Sequence, residues 1–431
     1  ITQGRLCVRC LTLPEYMYNE KRVLHPLKRD RGNRGKDRWE QVGWDEVLDE
    51  IAGIILEAKE AYGPESVAFY SGTGRDIGQY ITRLCWGFNS PNFVFLMSGQ
   101  SCYSPRVAGC FSTSGSFWVG DYSQQFPDRY DNPDWKRPDL IVIWGNNPIV
   151  SNSDGLSGHW VVDCLKRGSR AIVIDPRMIW LASKAEHYLQ IRPGTDAALV
   201  QGMIRAIVDE GWYDEEFVKA HTSLVHLVDR KTGKSYRSAT EMCPNPAVVS
   251  MEPVGAPYVW DEVTNAPQLY NAADVLPALE GTWSVDGVEV STEFTLMKEW
   301  LADYPVEWAA KTCGIDADTI VSLADRYANN GPAILDFGLG GPDKYTNADV
   351  LGHSMSILTA LTGNYGRKGS GFGFYGGVGA DDPAATLNDW KLPEEYGYND
   401  SGLAMYDMPY HENNIHVALT FGDAFTLEAA N

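Results

Sequence analysis

The sequence predicts an α/β fold built on mainly parallel sheets, on three observations. The apolar run Leu140–Trp144 stops abruptly at Gly145, Asn146, Asn147 and Pro148, and a second run, Ala171–Ile174, stops at Asp175, Pro176 and Arg177. A helical stretch from Gly158 to Arg167, closed by Gly168, joins them, which makes a βαβ unit with polar turns at both strand ends. The same texture, a short β-rich run ending in glycines, recurs at Ser66–Tyr70, Phe93–Met97 and Ala333–Phe337. Strand ends of this kind are where open α/β sheets hold nucleotide-like ligands.

Taken in order, residues 1–42 carry little periodicity and read as loop. Gly43 opens a helix in which Val47, Leu48, Ile51, Ile54 and Ile55 keep helical spacing, and Gly63-Pro64 stops it. Ser66–Tyr70 runs into Ser71-Gly72-Thr73-Gly74-Arg75, and a helix follows from Ile77 to Gly87. Phe93–Met97 then meets Ser98-Gly99-Gln100-Ser101-Cys102-Tyr103-Ser104-Pro105-Arg106. Glycine in such loops lets backbone approach a bulky ligand closely. Beyond the βαβ unit, Tyr188–Ile191 leads to Arg192-Pro193-Gly194-Thr195-Asp196. Thr195 is placed to cap a helix through Leu199, Met203 and Ile207 that ends at Gly211.

Lys231–Tyr270 is rich in Pro, Asn and Gly and reads as an irregular insertion. Val285-Asp286-Gly287-Val288 has the signature of a tight hairpin. Helices are expected over Glu293–Tyr304 and Asp316–Tyr327. Strand chemistry returns at Ala333–Phe337, ends in Gly338-Leu339-Gly340-Gly341, and gives way to a helix over Asn347–Leu361; a last strand covers Val417–Phe421.

Bulk properties exclude several classes. At 431 residues the chain exceeds one compact core. A formal charge of −21 argues against a nucleic-acid surface, and no apolar run is long enough to span a membrane. The basic cluster Lys21–Lys36 reads as a solvated surface. The cysteine total of 8 is too few for a disulfide scaffold, so most read as small core residues. No G-x-x-x-x-G-K-[ST] motif occurs, no G-x-G-x-x-G follows the first strand of a βαβ unit, and no zinc motif is visible, which disfavours triphosphatases, nicotinamide dehydrogenases and zinc enzymes. A start on Ile1 and a stop shortly after a strand read as a piece of a longer protein.

Several segments together resemble the molybdopterin oxidoreductases of the dimethyl sulfoxide reductase family: Arg22–Lys28, Arg38-Trp39-Glu40, Gly43–Ala52, Gly145-Asn146-Asn147-Pro148, Asp175-Pro176-Arg177, Arg192–Leu199 and Leu358–Gly366. They stand in the family's order across nearly the whole chain. The resemblance implies two interleaved doubly wound, Rossmann-like domains beside a remnant of an N-terminal iron–sulfur domain. The remnant would be 1–43, one α/β domain 44–130 with 331–431, and the pterin-dinucleotide domain 131–330 with an insertion at about 228–290. It implies a bis-molybdopterin guanine dinucleotide cofactor with Mo or W, and a [4Fe–4S] cluster in the full-length parent.

Cofactor contacts are then expected at Gly145, Asn146, Asn147, Asp175, Pro176, Arg177, Arg192, Gly194, Thr195, Asp196, Gly338 and Gly340. Asp175 suits ribose hydroxyls or a guanine edge, and Arg177 and Arg192 suit diphosphate. Cys102 matches the metal-ligand position, where a thiolate completes a sulfur-rich site. Tyr103 and Arg106 would flank the metal's open position. Cys7 matches the last cluster cysteine, with the three others preceding Ile1, and Arg9 the basic residue between cluster and pterin.

The activity implied is that of an anaerobic reductase, a catechol-type dehydroxylase or a polysulfide- or thiosulfate-type reductase, taking oxygen or hydroxyl from a small-molecule substrate. A hydratase or transhydroxylase of the same family, and an electron-conducting scaffold without chemistry, are the alternatives. An iron–sulfur electron-transfer subunit is the expected partner, and the cell-envelope side, after twin-arginine export, the expected location rather than the cytoplasm.

Overall fold

The computed structural model describes residues 6, 8–71, 78–95, 104–114, 120–123, 128–150, 157–243, 254–338, 341–373 and 417–421. The chain forms two compact units, residues 9–104 with 377–431, and residues 1–8 with 105–376.

The first unit begins with a helix, α1 (Val8–Met17), where the sequence reads as loop; Pro14 lies inside it, and Leu11, Leu13 and Tyr16 are exposed. With no buried apolar stripe, the segment carries no periodicity from which a helix could be read. Strands β1 (Leu27–Lys28) and β2 (Glu40–Gln41) form a short antiparallel pair. Helix α2 (Trp44–Tyr62) keeps its expected limits, Gly43 at its start and Gly63 in a positive-φ stop. Strand β3 (Val67–Ser71), helix α3 (Gly78–Phe88) and strand β4 (Phe93–Phe95) follow. β3 is the centre of a parallel three-stranded sheet, flanked by β4 and by the strand Val417–Phe421. Val67 and Phe69 of β3 pack with Ile81, Cys85 and Trp86 of α3.

The second unit is organised by a five-stranded sheet. Its elements are α4 (Ser104–Ser114), β5 (Leu140–Trp144), α5 (Ser157–Lys166), β6 (Arg170–Ile174), β7 (His187–Leu189), α6 (Asp196–Glu210) and α7 (Glu215–His221). The insertion strands follow: β8 (Leu227–Asp229), β9 (Arg237–Cys243), β10 (Val254–Asp261), β11 (Ala266–Leu269), β12 (Thr282–Val285) and β13 (Val288–Thr292). Helices α8 (Glu293–Leu301), α9 (Val306–Cys313) and α10 (Ala317–Asn329) then lead to β14 (Ala333–Phe337), α11 (Ala348–Leu361) and β15 (Gly371–Phe372). The central sheet runs β15-β14-β5-β6-β7 and is parallel throughout.

Every residue of β5 and β14 is buried, as a parallel sheet covered on both faces requires. The pleat divides them between two cores. Leu140, Val142 and Trp144 join Leu335 and Phe337 in a core shared with α6, α9, α10 and α11. Ile141 and Ile143 join Ile334 in the opposite core, with Trp160, Val161 and Cys164 of α5. The sheet is therefore wound on both faces, as the family resemblance implies.

Two segments depart from expectation. The insertion is not irregular: β9–β11 and β8 with β12–β13 make two antiparallel three-stranded sheets. A register shift between Gly255 and Pro257 breaks the period-two alternation of β10, so no strand pattern shows in the sequence. The hairpin at Asp286-Gly287 is as expected, with both residues at positive φ. Helix α9, absent from the sequence reading, is only 8 residues long and starts directly after Pro305. Among the described residues no helix is long and apolar enough to cross a membrane.

Leu335 is fully buried beneath α6 and α11. Leu335→Ala is expected to cost about 2–5 kcal/mol through lost transfer energy and the cavity left behind; urea unfolding of this unit measures it.

Candidate ligand crevice at the strand ends

The chain leaves β5 through α5 toward β6 and β7 on one side, while β14 joins β5 from the other. The strand order therefore reverses between β14 and β5. Loops at such a point diverge and leave a crevice beyond the strand C-termini.

Backbone makes that crevice. Gly145 stands at φ 55°, and its N–H donates to Ile174 O at 2.8 Å. Gly338 N–H donates to Trp144 O at 3.0 Å, and a side chain at 338 would run into the Gly145 carbonyl. Gly338 admits no Cβ without moving main chain, and Gly145 none without strain in its left-handed turn, which is why a glycine follows each strand.

Below this floor lie buried carboxylates, each with its own donor. Asn146 is 8% exposed, and its Nδ2 donates to Asp336 Oδ1 at 2.7 Å; Asp336 is fully buried. Asp196 begins α6 and accepts from Trp144 Nε1 at 2.8 Å. Burial is the main cause that pushes its carboxyl above the usual range, against the pull of the indole N–H. Asp343 accepts from Arg106 through Nε at 2.7 Å and Nη2 at 3.3 Å, a bidentate pair buried over the Phe337 ring. Burial raises the Asp343 carboxyl, and Arg106 opposes the shift.

The remaining expected contacts separate into open and committed groups. Asp175 Oδ1 accepts from Arg177 N–H at 2.7 Å, a turn that holds the carboxylate half-buried, and burial pushes its carboxyl up. Pro176 and Arg177 are exposed, and the Arg177 guanidinium makes no ion pair among the described residues. Arg192 is occupied instead: its Nη1 donates to Thr312 O at 2.7 Å and Lys311 O at 3.3 Å, capping the last turn of α9. Thr195 is at the N-cap of α6, yet its hydroxyl donates to Arg192 O at 2.6 Å rather than accepting from the helix. Gly194 lies against the Tyr345 ring. Asn147 continues the turn after Asn146, and Val150 N–H donates to its carbonyl at 3.0 Å. Arg9 falls in α1. Cys7, Cys102, Tyr103 and Gly340 lie outside the described residues.

The structure thus collects 145–147, 175–177, 194–196 and 338 at one sheet edge, and gives Arg106 and Arg192 packing partners. Asp336, Asp343 and Tyr345 are additions that the sequence reading lacks. Asp336 had a signal, a lone carboxylate in the apolar run Ala-Ile-Leu-Asp-Phe; Asp343 and Tyr345 had none.

A family model described as "Molybdopterin oxidoreductase" matches residues 22–422. The chain belongs to the molybdopterin oxidoreductase family. It is 30% identical over 425 residues to a Halobacterium salinarum protein named as a "Putative dimethyl sulfoxide reductase" catalytic chain, covering 92% of this chain and 47% of that protein. It is 28% identical to the alpha chain of perchlorate reductase from Dechloromonas aromatica, covering 84% and 41%. Among solved structures it is similar to acetylene hydratase from Pelobacter acetylenicus, with a TM-score of 0.55, 25% identity, and coverage of 85% of this chain and 39% of that one. The chain therefore spans less than half the length of these relatives. Molybdopterin oxidoreductases bind a Mo or W bis-pterin cofactor.

The crevice residues fit the dinucleotide part of such a group. The half-buried Asp175 offers an acceptor suited to ribose or base and the exposed Arg177 suits a diphosphate, while Gly145 and Gly338 serve strand-end packing, their Cβ sides being filled by Pro342 and by the Gly145 and Asn146 main chain. Among the described residues no His, Cys, Asp and Glu group could hold a metal ion by itself.

Asp196 yields a test of the buried floor. A carboxyl raised on folding weakens the fold as pH climbs through its folded pKa, and Asn keeps the acceptor for Trp144 without the charge. Asp196→Asn is expected to raise stability at pH 7. The gain should vanish below the ordinary carboxylate range; thermal melts at pH 7 and about pH 3 check it.

Proposed function

We propose that this chain is the cofactor-holding part of the catalytic subunit of a Mo- or W-dependent anaerobic reductase. The observation that carries the reading is the glycine-floored switch point between β14 and β5, with Asn146, Asp175 and Arg177 around it. Arg177 would hold diphosphate; Asp175 and Asn146 would orient ribose and base; Gly145 and Gly338 would let the two strand ends close against Pro342 and each other beneath the ligand.

When bound, the cofactor supplies a two-electron metal couple able to take oxygen or hydroxyl from a substrate. Cys102 is the proposed protein ligand, since a thiolate suits a sulfur-rich site, with Tyr103 beside it. Arg106 would act by holding α4, through Asp343, rather than by touching substrate. Cys7, with cysteines of the longer protein, would hold a [4Fe–4S] cluster, and Arg9 would lie on the electron path from it. An iron–sulfur subunit would deliver two electrons and solvent two protons for each oxygen released as water.

Relatives named for reduction of dimethyl sulfoxide and perchlorate support a reductase. A catechol-type dehydroxylase or a polysulfide- or thiosulfate-type reductase fits a cysteine ligand. The likeness to acetylene hydratase favours a second reading, a hydratase or transhydroxylase without net electron uptake. A cell-envelope location after twin-arginine export accompanies the reductase reading.

The full-length protein, purified anaerobically, is expected to contain Mo or W and to oxidise a reduced dye only when an acceptor is added. Metal at background leaves an electron-conducting scaffold, and turnover without any electron donor leaves the hydratase. Cys102→Ala is expected to cut turnover at least about a hundredfold with unchanged melting; wild-type turnover in that variant removes Cys102 from the ligand role.

A further inference from the structure

We propose that Asp336 is a positioning residue for the crevice: it fixes the Asn146 side-chain amide so that position 146 offers an arriving ligand an acceptor, not a donor. The inference rests on the nucleotide reading of the crevice and adds which hydrogen-bonding partner Asn146 selects.

Asp336 is fully buried in the penultimate position of β14, flanked by Leu335 and Phe337 of the sheet core. A carboxylate in such a place is costly unless hydrogen-bonded. Its Oδ1 receives Asn146 Nδ2 at 2.7 Å. The 2.7 Å contact from Nδ2 sets the NH2 group of the amide toward Asp336, whose Oδ1 accepts from it. That choice settles which end of the Asn146 amide faces down, a question that amide shape alone does not answer. On the same face of the sheet, burial first and the Asp336 charge second push the Tyr122 phenol well above its ordinary value, so that hydroxyl keeps its proton beside the carboxylate.

With Nδ2 held below, the Asn146 carbonyl oxygen remains for the turn and whatever lies on it. An acceptor there pairs with N–H or O–H groups and repels phosphate oxygens, which only accept. Labour is then divided along the crevice. Asn146 recognises the neutral, donating face of a nucleoside, its base edge or its sugar hydroxyls, and the exposed Arg177 meets the anion.

The pair can be inverted. Asn146→Asp sets two carboxylates against each other, whereas Asn146→Asp with Asp336→Asn restores one donor and one acceptor and still presents an oxygen upward. Guanosine diphosphate is titrated calorimetrically into the full-length protein freed of its cofactor, with melting curves for each variant. We expect N146D and N146A each to weaken binding about tenfold or more, D336N alone to weaken it about fivefold because an amide at 336 no longer fixes which end of Asn146 faces it, and the double variant to return within about threefold of wild type. Inosine diphosphate and 2′-deoxyguanosine diphosphate identify the donor: tenfold weaker binding of the first assigns the base amino group, of the second the ribose hydroxyl.

Wild-type affinity in N146A or N146D overturns the proposal. So does a folded double variant no better than N146D, and a double variant that does not fold places the pair's role in the core. Absence of guanosine diphosphate binding to the wild type overturns the nucleotide reading itself, whereas binding that ignores the 146–336 pair overturns only the role of Asp336.

Discussion

The parallel pairing of β14 with β5 is the interaction on which the rest of the larger unit depends. Ala333–Phe337 lies beside Leu140–Trp144 in continuous register. The contact it enables between Asn146 and Asp336 joins residues 190 apart in sequence. Closing so long a loop costs only slightly more than closing one of half the length, and the buried strands on both faces offset it. The pairing also creates the crevice, because it puts β14 on the side of β5 away from β6. Gly145 and Gly338 then meet main chain to main chain.

Electrostatics is settled locally under that floor. Asp336, Asp196 and Asp343 are buried away from water, and each is held by a particular donor: an amide, an indole N–H and a bidentate guanidinium. Such pairs add little net stability but penalise any arrangement that separates them. They make the strand ends rigid where a ligand would need a preformed surface. Charge meant for the outside is handled differently: Arg177 stays exposed, without an ion pair among the described residues, while Arg192, its equal by residue type, is tied to the end of α9.

Much of this was legible in the sequence, for physical reasons. Strands buried on both faces are uninterrupted apolar runs, so β5, β6 and β14 stand out, and each is followed by turn-forming residues that mark the ligand edge. Helix α2 was readable because glycines bracket it. The bulge at Gly255 and Pro257 erased the alternation of β10, and α9 was too short to show a periodic face. Within the crevice, local loop chemistry pointed to 145–147 and 175–177. It could not reveal that Arg192 faces a helix end more than a hundred residues away, or that Arg106 and Asp343 find each other across 237 residues. Partners set by tertiary structure leave no local signature.

The central claim is that the dinucleotide lies at the switch point between β14 and β5. A crystal structure of the full-length protein carrying its cofactor tests it most directly. The account predicts density for a pterin dinucleotide against the 145–147 and 175–177 turns, with an Arg177 nitrogen within hydrogen-bonding distance of a phosphate oxygen. A dinucleotide placed elsewhere, with this crevice filled only by water, would contradict it.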